Sequence, residues 1–270
     1  MDLGLADARV LVAGGSRGMG RAAAEVFARE GSRVAVLARP SEALDDAVAP
    51  LLSAGSPEAI ALEADLTSLD EVSEAVDRLG ERWTGLEVLV NAAGPVDVGI
   101  GPFEALDDSE WRATFDIGVL STVRTVRRTL PLLRRGSFAR IVNVSAHSTR
   151  RQSPDLVAYT AAKAALTSLT KNLSQSLAPD GILVNTVSPG SFLSEGMQGY
   201  LRSLPPERGI DSNSLTDAMR VIAEDFGHPA YLGRAGSPRE IGPVIAFLGS
   251  RANSYMTGAD VNVDGGSDFA

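Results

Sequence analysis

Tyr159 and Lys163 stand four positions apart in Ala158-Tyr159-Thr160-Ala161-Ala162-Lys163, a spacing that puts both side chains on one helix face. A free phenol titrates near a pKa of about 10, so acid-base work near neutrality needs a positive charge close by to stabilise the phenolate. Lys163 is placed to supply that charge. A lone Tyr and Lys at this spacing usually mark the boundary between a buried and a solvated helix face, so the meaning of the pair depends on what else the chain carries.

Far upstream lies a glycine loop, Ala13-Gly14-Gly15-Ser16-Arg17-Gly18-Met19-Gly20. The apolar run Ala8-Arg9-Val10-Leu11-Val12 before it reads as a strand, and the stretch from Arg21 to Ala28 after it reads as a helix. Strand, glycine turn and helix together form a receptor for a pyrophosphate. Glycines let the backbone approach closely, and the helix N-terminus points free N-H groups at the anion. The bland alternative is a tight connector with no ligand.

The elements that would position these residues follow from the alternation of short apolar runs with longer amphipathic stretches, the pattern of a parallel sheet wrapped by helices. Strands are expected near residues 8–13, 33–38, 58–63, 86–91, 138–145, 181–187 and 259–263, with one long helix from about Asp108 to Leu133 and another from about Leu156 to Leu177. Right-handed crossovers make this a doubly wound α/β sheet of seven parallel strands, with its ligand at their carboxyl ends. At 270 residues the chain suits one such domain. The region from Ser191 to Gly233, with Pro205, Pro206 and the polar run Asp211-Ser212-Asn213-Ser214, resembles a mobile lid more than an interdomain linker.

The formal net charge of -9 argues against nucleic-acid and anionic-membrane partners, which would be repelled. Small molecules or copies of the chain itself fit better. The absence of cysteine excludes disulfides and thiolate metal sites and fits a reducing cytoplasm. Two histidines, His147 and His228, are too few for a zinc-type cluster, so no metal is expected.

Order and spacing together make the chain resemble the short-chain dehydrogenase/reductase family along essentially its whole length. Gly14, Gly18 and Gly20 match the family's cofactor glycines, with Ser16, Arg17 and Met19 between them and Ala13 where Thr is usual. Ala64-Asp65-Leu66 is similar to the segment whose Asp contacts the adenine, and Asn91-Ala92-Ala93-Gly94 to the family's Asn-Asn-Ala-Gly signature. Tyr159 and Lys163 match its Tyr-x-x-x-Lys motif, and Ser188-Pro189-Gly190 resembles the turn that flanks nicotinamide, with Phe192 just beyond it. The resemblance implies hydride transfer at nicotinamide, proton donation by Tyr159, and electrostatic help and ribose contact from Lys163.

Charge argues for which nicotinamide. An acidic residue ending the second strand would repel a 2'-phosphate, but here the strand ends Val36-Leu37-Ala38-Arg39. Arg39 and Arg17 both have the guanidinium fork that suits phosphate oxygens, so NADP(H) is favoured; the alternative is two solvated surface arginines.

Two positions depart from the family. Its Ser usually falls thirteen places before the Tyr, and that place holds Ala146. Ser145 should point to the opposite side of an extended strand and Ser148 lies two places further on, so either substitutes only with backbone adjustment; His147 is another candidate donor. The family's Asn usually falls seven places after a tryptophan matched here by Trp111, and that place holds Gly118. Gly118 means either close packing or room for water or substrate. Three readings follow: an NADPH-dependent ketone reductase; a dehydratase, epimerase or cyclase on the same scaffold; or a catalytically silent NADPH-binding protein. Phe192, Leu193, Met197, Tyr200, Leu201, Phe226 and Tyr231, with a second wall at Pro95 to Phe103, suggest a medium-sized, biosynthetic organic substrate. The resemblance also implies a homo-oligomer, a dimer or tetramer.

Overall fold

A computed structural model of the chain describes residues 2–95 and 98–269. Seven strands, β1 (Arg9–Ala13), β2 (Arg33–Ala38), β3 (Ala59–Glu63), β4 (Val88–Asn91), β5 (Ala139–Val144), β6 (Ile182–Pro189) and β7 (Asp260–Val263), form one parallel sheet in the order β3-β2-β1-β4-β5-β6-β7. Between them run α1 (Gly18–Arg29), α2 (Glu42–Asp45), α3 (Val48–Ala54), α4 (Leu69–Arg82), α5 (Asp108–Phe115), α6 (Ser121–Leu133), α7 (Val157–Ser176), α8 (Glu195–Ser203), α9 (Leu215–Phe226) and α10 (Pro238–Leu248). The order reverses between β1 and β4, which opens a crevice at their carboxyl ends.

The strands are apolar at successive positions because both faces are covered. On β1, Val10 and Val12 join Phe27 of α1, Leu51 of α3 and Ile241 and Ile245 of α10 in one core layer. Leu11 and Ala13 face the other way, into a layer with Val72 and Leu79 of α4 and Val126 of α6. Strand pairing sets Ala13 opposite Leu37 on one side and Asn91 on the other. The glycine loop, the end of β2 and the Asn91 segment therefore share one edge.

Two sequence expectations change. The single helix from Asp108 to Leu133 is interrupted by a π-helical segment, Asp116–Leu120, between α5 and α6. The 191–233 region is largely helical: α8 and α9 enclose their own apolar cluster of Leu193, Leu201, Met219, Val221 and Ile222. Val96 and Asp97, within the expected second wall of the substrate pocket, lie outside the described residues.

Candidate active site

The start of α1, like that of α7, has no side-chain cap. Ser68, Asp107, Ser194, Ser214 and Ser237 each cap a helix with a side-chain oxygen, whereas Arg17 at the head of α1 gives no such bond. The first N-H groups of α1 thus keep their donors for an anion. Gly14 has φ of 80°, and a Cβ there would come within 2.6 Å of the Ala93 backbone nitrogen. A Cβ at Gly20 would strike the Gly14 carbonyl oxygen. This loop lies against Ala92 and Ala93, and Ala92 N donates to Ala13 O at 2.8 Å. The residues fit a dinucleotide pyrophosphate.

Arg39, at the end of β2, is exposed, and its charge helps hold the Asp65 carboxyl low, behind the leading hydrogen bond from Thr67. Asp65 Oδ1 accepts from Thr67 N and Oγ1, both at 2.8 Å, which fixes the turn after β3. Leu66 is buried in the core, leaving its backbone as the part able to meet a ligand. Arg17 also faces the 191–233 region, with Nε 4.0 Å from Glu195 at the start of α8.

On α7, Lys163 Nζ donates to Val144 O at 2.8 Å and lies 6.0 Å from the centroid of the Tyr159 ring. A Cβ at Gly94 would come within 3.0 Å of that Nζ, so the absence of a side chain at Gly94 makes room for the ammonium. The expected lowering of the phenol by Lys163 is not what this arrangement gives. Burial pushes the Tyr159 phenol up to about 12 and the Lys163 ammonium down to about 8. Desolvation disfavours both charged forms.

Ser145 turns away from the crevice, as strand alternation requires. Its Oγ donates to Lys163 O at 3.0 Å and lies 2.9 Å from Thr167 Oγ1, which ties β5 to α7. Ser148 is buried in a 3-10 turn (His147–Thr149), and its Oγ has no partner. At Ala146 the backbone remains extended. Gly118 sits in the π-helical segment, where an added Cβ would meet the Ala162 Cβ at 3.0 Å and Pro95 at 3.7 Å. Close packing, not an open water site, accounts for this glycine.

Asn91 is buried, donating through Nδ2 to Asn143 Oδ1 at 2.9 Å and accepting from Thr125 Oγ1 at 2.7 Å. Asn143 in turn donates to Thr170 Oγ1 at 2.9 Å. The side chain of Asn91 therefore braces the sheet edge. Sequence reasoning missed Thr125, Asn143, Thr167 and Thr170; polar residues inside otherwise apolar segments were the available signal. At the β6 end, Pro189 O accepts from His147, and a Cβ at Gly190 would come within 2.6 Å of Asp264 Cα. Phe192 packs on Gly236 and borders a cavity of about 100 Å³ with Ser191, Arg234 and Asp264. Several residues expected to contact substrate have packing roles instead: Leu193, Met197 and Leu201 build the α8–α9 cluster, and the Tyr200 ring packs at a tilt against Phe226, centroids 5.8 Å apart. Tyr231 is 74% exposed.

The profile of a family described as enoyl-(acyl carrier protein) reductase matches residues 13–268. A rhamnolipids biosynthesis 3-oxoacyl-(acyl-carrier-protein) reductase of Pseudomonas aeruginosa is 33% identical over 267 residues, covering 97% of this chain and 96% of that protein. L-sorbose reductase from Gluconobacter frateurii, solved with NADPH and L-sorbose, superposes with a TM-score of 0.92 at 26% identity, covering all of both chains. The RhlG/NADP active-site complex of Pseudomonas aeruginosa superposes with a TM-score of 0.85 at 30% identity, covering 99% and 98%.

Proposed function

The chain belongs to the short-chain dehydrogenase/reductase family of oxidoreductases, and from that premise we propose that it is an NADPH-dependent reductase of a ketone on a medium-sized organic substrate. The observation that carries this reading is the pair on α7, a half-buried neutral Tyr159 phenol one turn from the buried Lys163, at the sheet edge that also holds the open head of α1. A phenol that keeps its proton suits donation to a developing alkoxide, the reductive direction.

Nicotinamide, when bound, would supply the hydride. Gly14, Ser16, Gly18, Met19 and Gly20 would hold the pyrophosphate, and Arg17 and Arg39 the 2'-phosphate. Asp65 and Leu66 would flank the adenine, while Asn91, Ala92, Gly94, Pro189, Gly190 and Phe192 would shape the nicotinamide end. Lys163, held by Val144 O, would contact the ribose and stands 6.0 Å from the Tyr159 ring centroid. Ser145 is committed to α7, which leaves the unpartnered Ser148 hydroxyl as the donor for the carbonyl oxygen. The relative described as a 3-oxoacyl-(acyl-carrier-protein) reductase and the NADPH and NADP complexes among similar structures support the reductase reading and its cofactor.

Ala146 favours a second reading, in which Tyr159 performs acid-base chemistry with no net redox change. Loss of one oxyanion donor costs on the order of a hundredfold in rate. One experiment separates the two: a ketone panel followed by NADPH oxidation and by product analysis, with Tyr159→Phe as control. NADPH consumption that falls at least about a hundredfold in Tyr159→Phe supports the reductase. Conversion without consumption supports the second reading.

A further inference from the structure

His147 follows Ala146 directly and is anchored to the end of the neighbouring strand β6, with its Nδ1 3.1 Å from Pro189 O. A carbonyl oxygen only accepts, so Nδ1 carries the proton, and the Nε2 of the neutral ring is an acceptor. That Nε2 is buried and without a partner. Burial pushes the imidazole below its ordinary value, which keeps the ring neutral. With its one N–H committed to Pro189 O, His147 has none left for a substrate carbonyl, so it is no replacement for the missing Ser.

The ring of His228 stands perpendicular to that of His147, with centroids 5.9 Å apart. His228 comes from the end of the 191–233 region, is 8% exposed, and its Nδ1 is likewise buried and unpartnered. Arg151 secures this junction, donating to Gly227 O at 2.8 Å, to Ser267 O at 3.0 Å and to Pro229 O at 3.5 Å. The charged neighbours are Arg151, Asp264 and Asp268, and no hydrogen bond joins any of them to either ring. Two orphaned imidazole nitrogens on two anchored segments are costly unless something pairs with them, since a buried polar atom without a partner loses its full hydration.

We infer that His147 and His228 form a subsite that reads a hydroxyl group of the substrate, with His147 Nε2 accepting the hydroxyl proton. The substrate class is then a hydroxy ketone, with the hydroxyl near the carbonyl that Tyr159 protonates. His228 Nδ1, on the facing ring, completes the pairing as donor to the hydroxyl oxygen. This rests on the reductase reading for the carbonyl but not for the hydroxyl.

The test compares hydroxycyclohexanone with cyclohexanone in wild type, His147→Asn, His147→Gln and His228→Gln, all with NADPH. Asn preserves a group near the Nδ1 position and deletes Nε2; Gln reaches the Nε2 position. Wild type is expected to prefer the hydroxy ketone by roughly 10-fold to 100-fold in kcat/KM, the cost of leaving such a group unpaired. The preference should shrink to within about threefold in His147→Asn and His228→Gln and survive in part in His147→Gln. A wild-type ratio near unity, or a ratio unchanged in His147→Asn, overturns the proposal. If neither ketone is reduced, the reductase reading fails, and the subsite is judged by calorimetric titration with cyclohexanediol and cyclohexanol. Tighter diol binding that is lost in His147→Asn, with shifts of the imidazole nitrogen resonances in the wild type, upholds the subsite; equal affinities overturn it.

Discussion

Lys163 is a base held in a place that disfavours its charge. Unfolded, its ammonium keeps the proton to a pH of 10.5, and in the fold it releases the proton near 8. Between those values the unfolded chain binds more protons, so this residue makes folding more favourable as pH rises from 8 towards 10.5 and loses that contribution as pH falls through 8. Tyr159 acts in the opposite sense: its contribution is present below pH 10 and fades as pH rises through about 12. Lys163→Met should therefore abolish the gain between pH 8 and 10.5, measured by chemical denaturation across that range. Parallel profiles for variant and wild type would contradict the buried ammonium. In catalysis the reductive rate should fall as pH rises through about 8, where Lys163 loses its charge, and steady-state profiles at saturating cofactor would show it.

At the scale of elements, the π-helical segment sets how closely the α5–α6 arm approaches α7. Gly118 brings this turn against Ala162, the residue before Lys163. Alanine in place of a helical glycine gains about 1 kcal/mol from backbone entropy, while overpacking costs about 1–3 kcal/mol. Gly118→Ala should lower stability on balance by on the order of 1 kcal/mol. Because the strain falls on Ala162, turnover should fall more than the melting temperature suggests. A variant with unchanged turnover and raised Tm would show that the turn relaxes away from α7. The sequence made both helices legible but not the break between them, since the extra residue of a π turn follows from a contact forty-four positions away. The same holds for Ser145, whose partners on α7 are set by strand alternation and by how the helix lies on the sheet.

Across the whole molecule, pairing of β1 with β2 brings the glycine loop beside the end of β2, so Arg17 and Arg39 flank one edge of the crevice. If both hold the 2'-phosphate, Arg17→Ala with Arg39→Ala should weaken NADPH at least about tenfold and leave NADH within about threefold, an effect that shrinks with salt. Fluorescence titration with both nucleotides measures it; equal losses for the two would remove the arginines from the phosphate. Glu195, 4.0 Å from Arg17, is more than half exposed, so its own removal should matter little. The homo-oligomer we propose is checked by sedimentation, where a monomer at micromolar concentration would contradict it.

The sequence alone determined the sheet and its neighbours, because apolar runs, glycine turns and helical periods are local signals whose order follows from right-handed crossovers. It also located Tyr159, Lys163 and the glycine loop, whose chemistry depends on residue type and short spacing. Only tertiary structure decided which way each polar side chain turns. Asn91 belongs to a buried brace, Ser145 to α7, and Gly118 to close packing. His228, over eighty positions from His147, meets it only because the end of the 191–233 region folds back over the carboxyl edge of the sheet. Such pairings bring together groups distant in sequence, and burial then decides which protons they keep.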